Sequence, residues 1–457
     1  MTSLDASPPV HRWMKEKLER DAFRKELTVL AARVPPAKTG SMLKAKALKT
    51  DIIDLPKIKS IVSDPANPQG DRLLLLRVAR EVDLSPEAQE YLKAESAEFT
   101  TYKLELDYDH WGTDEILHSI LPEELCEGSP SGFAMTGHLA HMNLNAEYLP
   151  YKHIIGQVVM DKNKKIKTVV NKLDSIDTTF RFFKMELIAG EPDYIVEHHE
   201  SDCRFTFDFT QVYWNSRLHT EHERLVTQFK PEDVVADVFA GVGPFAVPAA
   251  KKGCAVFAND LNPNSAKYLA QNVQDNKVTS LVRVTCEDGR DFIKTVISRA
   301  LDDPFAGYAG PQPTLRQQQK ARRRAAESGA QQTPDATAAP ALPPPRARIA
   351  HFVMNLPDSA ITFLDAFRGI LAPSNLSGKT ADISGVYDIM PMVHCHCFTR
   401  ELEADKAEAD IRQRVEAQLG YALGEETSFH LVRSVAPNKE MYCISFRLPR
   451  EVAFAEK

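Results

Sequence analysis

The chain has 457 residues, 43% of them hydrophobic, enough for two or three domains with cores of their own. A formal net charge of −7 excludes a globally basic nucleic-acid binder, so any RNA partner must be held by local patches. Seven widely spaced cysteines, an odd number, predict reduced thiols in an intracellular compartment.

No apolar run reaches the length of a membrane span, so no membrane partner is expected. Asp5, Glu16 and Glu19 interrupt the basic residues of the N-terminus and make a poor transit peptide. Residues 1–95 hold amphipathic stretches at 13–30 and 71–82 and read as a small N-terminal domain. Residues 96–215 read as an α+β domain. Clustered or alternating β-branched and aromatic residues predict strands at 154–160, 165–170 and 203–209, with a hairpin turn at 160–165 and a helix at 113–121.

From residue 216 to 457 strands and helices alternate. Strands are predicted at 234–239, 255–259, 281–285, 350–354 and 393–398, and helices at 245–252, 265–276, 290–298, 361–370 and 407–419. Two closing strands, 429–435 and 441–446, suggest an antiparallel hairpin at a sheet edge. The fold class is α/β: a Rossmann-like, doubly wound, mostly parallel sheet with helices on both faces. Residues 302–348 interrupt the alternation. Rich in Ala, Thr and Pro, with an arginine run at 322–324, they read as a disordered or surface insertion carrying a solvated basic tract.

Asp237-Val-Phe-Ala-Gly241-Val-Gly243 stands between the first of these strands and a helix. Glycines there let backbone approach a ligand, and Asp260, at the end of the next strand, is placed to take ribose hydroxyls. Pro244 removes an N–H that a pyrophosphate would need, and Asp237 would repel phosphate. A cationic sulfonium ligand tolerates both, so S-adenosylmethionine fits better than a nicotinamide dinucleotide. Asp288-Gly289 follows the third strand, where an acid could accept from an adenine amino group. The alternative for Asp260 and Asp288 is a helix N-cap, which for Asp260 is compatible with binding. Asn355-Leu356-Pro357 ends the fourth strand, where the Asn side chain can hold a base edge or the amino-acid part of a cofactor. The polar stretch from Tyr213 and Trp214 through Arg217, Glu221, His222 and Arg224 precedes the sheet and is either a charged surface helix or part of the site. His394-Cys-His-Cys397 matches no standard zinc spacing, and strand alternation would split the two residue types between faces, so no metal is expected.

These segments together resemble the tRNA (guanine-37-N1)-methyltransferases of the eukaryotic, fungal type, a class I family shared with archaea. The resemblance covers roughly residues 96–457 and rests on the segments around Arg181, Tyr213–Leu225, Asp237–Pro244, Asn259–Pro263 and Met354–Pro357. It implies methyl transfer from S-adenosylmethionine to N1 of guanosine 37, the first step toward wybutosine in tRNA-Phe. By resemblance Glu221 is the general base, its pKa raised by burial, Arg181 donates to O6, and Asn355 orients the base and touches the cofactor. Tyr213 and Pro357 shape the pocket, and His222, Asp260, Leu261, Asp288 and Gly289 contact the cofactor. The N-terminal domain would recognise the tRNA body and the site the anticodon loop, with the protein a monomer serving cytoplasm, nucleus and mitochondrial matrix. Another class I RNA methyltransferase, or a silent RNA-binding relative, would lack the Arg181, Glu221 and Asn355 trio or the glycine turn.

Overall fold

Alternating burial sets out the first strands. β1 (Lys25–Val34) alternates over its first half and is buried on both faces over much of its second, because it runs between two neighbours. The computed structural model describes residues 4–176, 183–310, 343–376 and 383–456. They form two compact units: Met1–Leu173 with Met185–Asp193, and Asp174–Lys184 with Tyr194–Lys457. No described helix is long and apolar enough to cross a membrane.

In the first unit β2 (Ile61–Ser63), β3 (Arg72–Leu75) and β4 (Glu98–Leu106) join β1 in an antiparallel sheet of order β2-β3-β1-β4. A second sheet, β5 (Ala134–Thr136), β6 (Leu139–Met142), β7 (Thr168–Ile176) and β8 (Phe183–Gly190), follows in chain order. The stretches at 13–30 and 71–82 thus contain strands. A domain boundary at 95 would fall just ahead of β4, which pairs with β1 along nearly its whole length. The expected strand at 154–160 is a helix, Lys152–Lys162, and there is no hairpin at 160–165. Ile154, Ile155, Val158 and Val159 are buried, a spacing that lines one helical face and overrides their β propensity. The helix belongs in the crossover that the parallel pairing of β6 with β7 demands.

The second unit opens with the hairpin β9 (Ile195–Glu200) and β10 (Cys203–Asp208). It belongs with this second unit and not with the α+β domain drawn to residue 215. Asn272 and Asn276 accept from the β10 backbone N–H groups of Thr206 and Arg204 at 2.8 and 3.0 Å. The main sheet contains β11 (Val234–Asp237), β12 (Ala255–Asn259), β13 (Val282–Thr285), β14 (Ile349–Met354), β15 (Met392–Thr399), β16 (Ser428–Ala436) and β17 (Lys439–Arg447). Its order is β13-β12-β11-β14-β15-β17-β16, the first five strands parallel and the last two an antiparallel edge hairpin, as expected. Helix Ala246–Lys252 follows β11, Pro263–Asp275 follows β12 and Gly289–Asp302 follows β13.

The insertion's two ends meet. Phe305 bridges Arg346, whose guanidinium donates to the carbonyls of Pro231 and Gly253 at 3.1 and 2.8 Å. Residues 311–342, on which the reading of disorder rests, lie outside the described residues.

Candidate active site

Strand register divides the main sheet into an apolar and a polar face. Asp237 lies beside Val353, Val353 beside His394, and Met354 beside Cys395. Across the antiparallel pair, His394 faces Ser445 and His396 faces Cys443. Alternation puts Ala236, Phe352, Met354, Cys395 and Cys397 into the main hydrophobic core. The opposite face therefore carries Asp237, His351, Asn355, His394, His396, Cys443 and Ser445. The histidines and cysteines of 394–397 are separated as their alternation predicts.

At the carboxyl end of β11 the chain turns through Gly241 (φ 55°) and Gly243 (φ 102°). Both conformations favour glycine. A Cβ on Gly243 would lie 2.7 Å from Leu269 Cδ1 and 2.9 Å from Val247 Cγ2, whereas one on Gly241 would meet nothing within 4 Å. Gly243 is thus required by packing, and Gly241 leaves open space for a ligand. Asp260 braces the turn: its carboxylate accepts from the N–H groups of Gly241 (2.8 Å) and Asn262 (2.9 Å). The N-cap of helix Pro263–Asp275 is Asn262, not Asp260. Asp288 does cap its helix, accepting from Arg290 N–H at 2.8 Å, and the Cα of Gly289 abuts Phe239, where a Cβ would come within 2.8 Å.

The polar atoms left without partners show what this end of the sheet can hold. Both carboxylate oxygens of Asp237 and Oδ1 of Asn355 are buried with no hydrogen-bond partner among the described residues. Burial, and then the neighbouring charge of Asp260, push Asp237 up to about 8. Burial raises Asp260 as well. Unpartnered acceptors beside an open glycine suit a cationic ligand rich in N–H and O–H donors, as S-adenosylmethionine is. Tyr213 and Leu261, 46% and 44% exposed, offer apolar surface for it. Pro357 fixes the loop after Asn355 by accepting from the N–H of Phe398 at 3.1 Å.

Glu221 lies on helix His219–Gln228, only 2% exposed. Arg224, one turn on, grips both of its oxygens at 2.6 and 2.7 Å. His396 Nε2 donates to Oε1 at 2.7 Å, and His430 stands 3.6 Å from Oε2. Burial alone would raise this carboxyl, but the hydrogen bonds from Arg224 and His396 outweigh it and hold it at about 2. The expectation of a base raised by burial is therefore wrong for this arrangement: Glu221 is a clamped carboxylate. The neighbouring His222 donates through Nδ1 to Glu200 at 2.6 Å. The Phe245 ring, just after the glycine turn, lies 4.8 Å from the His222 ring and 5.9 Å from that of His396. The glycine turn, Glu221 and Asn355 are thereby brought to one end and one face of the sheet. Arg181 lies outside the described residues. Sequence reasoning missed Arg224, His396 and Glu200 as partners. The i, i+3 spacing of Glu221 and Arg224 was a usable signal.

The TRM5/TYW2 methyltransferase domain matches residues 196–302, and the TYW2 N-terminal domain matches residues 113–193. The tRNA (guanine(37)-N(1))-methyltransferase of Coprinopsis cinerea is 59% identical over 99% of this chain and 98% of its own length. That of Saccharomyces cerevisiae is 42% identical over 98% and 95%. Among solved structures, Trm5b from Pyrococcus abyssi aligns with a TM-score of 0.57 at 22% identity, covering 92% of this chain and 98% of that one. The complex of aTrm5 with tRNALeu aligns at 0.58 and 19%, covering 92% and 100%. These structural likenesses share the fold, and the near full-length sequence identity assigns the family: the chain belongs to the tRNA (guanine(37)-N(1))-methyltransferases.

Proposed function

We propose that this site moves the methyl group of S-adenosylmethionine to N1 of guanosine 37 of tRNA, with Glu221 taking the N1 proton. The observation that carries the reading is the convergence of Glu221, Asn355, Asp237 and the glycine turn at one end and one face of the sheet. When bound, S-adenosylmethionine supplies an electrophilic methyl on a sulfonium sulfur that leaves as a neutral thioether. The chain's own residues must do the rest.

Guanine N1 carries a proton and is a poor nucleophile while neutral. A buried carboxylate beside it can remove that proton as the N–C bond forms. Glu221 starts ionised, and its Oε2 must give up the Arg224 contact to accept the proton. The charge that develops on O6 calls for a donor, the role proposed for Arg181. Asn355, with an unpartnered oxygen, orients the base edge. The base must leave its stack to reach so buried a group. Exposed Lys44, Lys46 and Lys49 in the N-terminal unit would meet the phosphates of the tRNA body. The family resemblance supports a monomer acting in cytoplasm, nucleus and mitochondrial matrix.

Glu221→Ala tests the reading. It should keep S-adenosylmethionine binding in calorimetry while lowering single-turnover methyl transfer by about 10²–10⁴-fold, the usual worth of a general base. Unchanged turnover would remove Glu221 from the chemistry.

A further inference from the structure

Glu221 can take a proton only where one of its oxygens is open. A carboxylate oxygen accepts two hydrogen bonds. Oε1 is filled: it accepts from Arg224 Nη2–H at 2.7 Å and from His396 Nε2–H at 2.7 Å. Among the described residues Oε2 accepts from Arg224 Nε–H alone, at 2.6 Å. His430 Nε2 stands 3.6 Å from Oε2, beyond hydrogen-bonding distance. A proton from guanine N1 therefore lands on Oε2, and the group already bound there is Arg224.

The two residues that hold Glu221 are not equally free to move. His396 is fixed in β15 with its side chain fully buried, whereas the Arg224 side chain is 26% exposed at the end of a flexible stem. Burial raises the Glu221 carboxyl, but the hydrogen bonds from Arg224 and His396 outweigh it and hold it at about 2. So weak a base cannot keep the N1 proton of a neutral guanine. The burial of Glu221 favours protonation only once Arg224 has let go. The released guanidinium then needs another anion, and guanine supplies it. O6 is bonded to the ring carbon next to N1. A base whose N1–H points at Oε2 thus sets O6 within reach of the guanidinium that Oε2 releases.

We propose that Arg224 is a second catalytic cation, which passes from Glu221 Oε2 to guanine O6 as the N1 proton passes from guanine to Glu221. The proposal rests on the reading of Glu221 as the base. The N1–H bond breaks and an O–H bond forms on Oε2. The electron pair left on the ring spreads onto O6, where an Arg224 N–H meets it. N1 then bonds to the methyl carbon as the C–S bond breaks with its electrons going to sulfur, and O6 returns to a neutral carbonyl. The sulfonium charge and the carboxylate charge are consumed together, and Arg224 stays charged throughout. It returns to Glu221 when the carboxyl gives its proton to water as product leaves.

One displacement acts on both partners of the proton transfer. Glu221 loses the cation that made it a weak base, and guanine gains a cation that makes N1–H a stronger acid. The same arrangement keeps the base ionised and paired while no guanine is bound. O6 has two acceptor positions, so Arg224 and Arg181 can donate to it together.

Transcripts with guanosine or 6-thioguanosine at position 37 test the handover, since sulfur is a weaker acceptor than oxygen. Single-turnover methyl transfer is measured at saturating S-adenosylmethionine and tRNA. Arg224→Ala should lower the rate on the guanosine transcript by about 10²–10³-fold, the usual worth of one donor to a developing oxyanion. The ratio of the guanosine rate to the 6-thioguanosine rate should be larger for the wild type than for Arg224→Ala by about ten-fold, the coupling between Arg224 and O6. The different acidity of the sulfur base is common to both enzymes and cancels in that comparison. Guanidinium ions in solution should restore part of the rate of Arg224→Ala on the guanosine transcript. If Arg224→Ala melts early, Arg224→Gln, which keeps much of the bulk without the charge, gives the same comparison. A wild-type rate in these variants overturns the handover. So does a slow variant that keeps the wild-type ratio, which would leave Arg224 as a clamp on Glu221 alone. If Glu221→Gln stays active, the base itself is wrong. If Glu221→Gln is dead while the ratio for Arg224→Ala equals that of the wild type, only the handover fails.

Discussion

Replacing either glycine of the turn by alanine separates packing from ligand approach. At Gly243 the backbone has φ 102°, where an L residue is strained, and the new methyl would press on Val247 Cγ2 at 2.9 Å and Leu269 Cδ1 at 2.7 Å. Strain of about 1–3 kcal/mol and overpacking of about 1–3 kcal/mol sum to roughly 2–6 kcal/mol. With a urea dependence of about 3 kcal/mol per M, a mid-range loss of about 4 kcal/mol moves the unfolding midpoint down by roughly 1 M. At Gly241 the φ of 55° lies in the left-handed helical region and the methyl meets nothing. Gly241→Ala should therefore cost only about 1–2 kcal/mol, yet weaken S-adenosylmethionine binding, because its methyl takes the open space. Urea unfolding followed by circular dichroism, and calorimetric titration of the cofactor, read the two effects apart. A Gly243→Ala variant with the wild-type midpoint would refute the packing argument. An unchanged cofactor affinity in Gly241→Ala would refute ligand approach over that glycine.

Two pH effects follow from the buried carboxylates. Asp237 is raised from 3.8 to about 8, so the stability its proton contributes is present below about 3.8 and is lost as pH rises toward about 8. Asp237→Asn should flatten the fall in melting temperature of the free protein between pH 5 and pH 9, and an unaltered slope would contradict this. For Glu200, burial alone would raise the carboxyl, but its histidine partners His198 and His222 outweigh it and lower it from 4.5 to about 2. Its contribution is present above about 4.5 and is lost as pH falls toward about 2. Glu200→Gln should blunt acid unfolding in that window, read from melting temperatures against pH, while lowering the melting temperature at neutral pH.

What could be read in the chain was the part governed by short-range rules. The strand–glycine turn–helix segment at 237–243, the alternation from 216 onward and the closing hairpin all rest on spacing within one or two elements. The misreadings came where tertiary packing decides. The Ile-Ile and Val-Val pairs at 154–159 look like a strand by composition, but they line one buried face of a helix. The hairpin at 195–208 joined the wrong domain because its ties to Asn272 and Asn276 span more than sixty residues. The setting of Glu221 was hidden for the same reason. His396 lies 175 positions away, and only the parallel register of β14 and β15 brings it beside Asn355 and under the helix. The His-Cys-His-Cys run at 394–397 fits no zinc spacing. Its alternation in fact marked a polar sheet face, which the identity of Glu221 alone could not disclose.

The most direct test of the account is the transfer of labelled methyl from S-adenosylmethionine to two tRNA transcripts differing only at position 37, with the wild-type protein and Glu221→Ala side by side. The account predicts label on the G37 transcript alone, a reverse-transcription stop at that nucleotide, and loss of both in the variant with cofactor binding intact. Equal labelling of an A37 transcript, or full labelling of G37 by the variant, would contradict it.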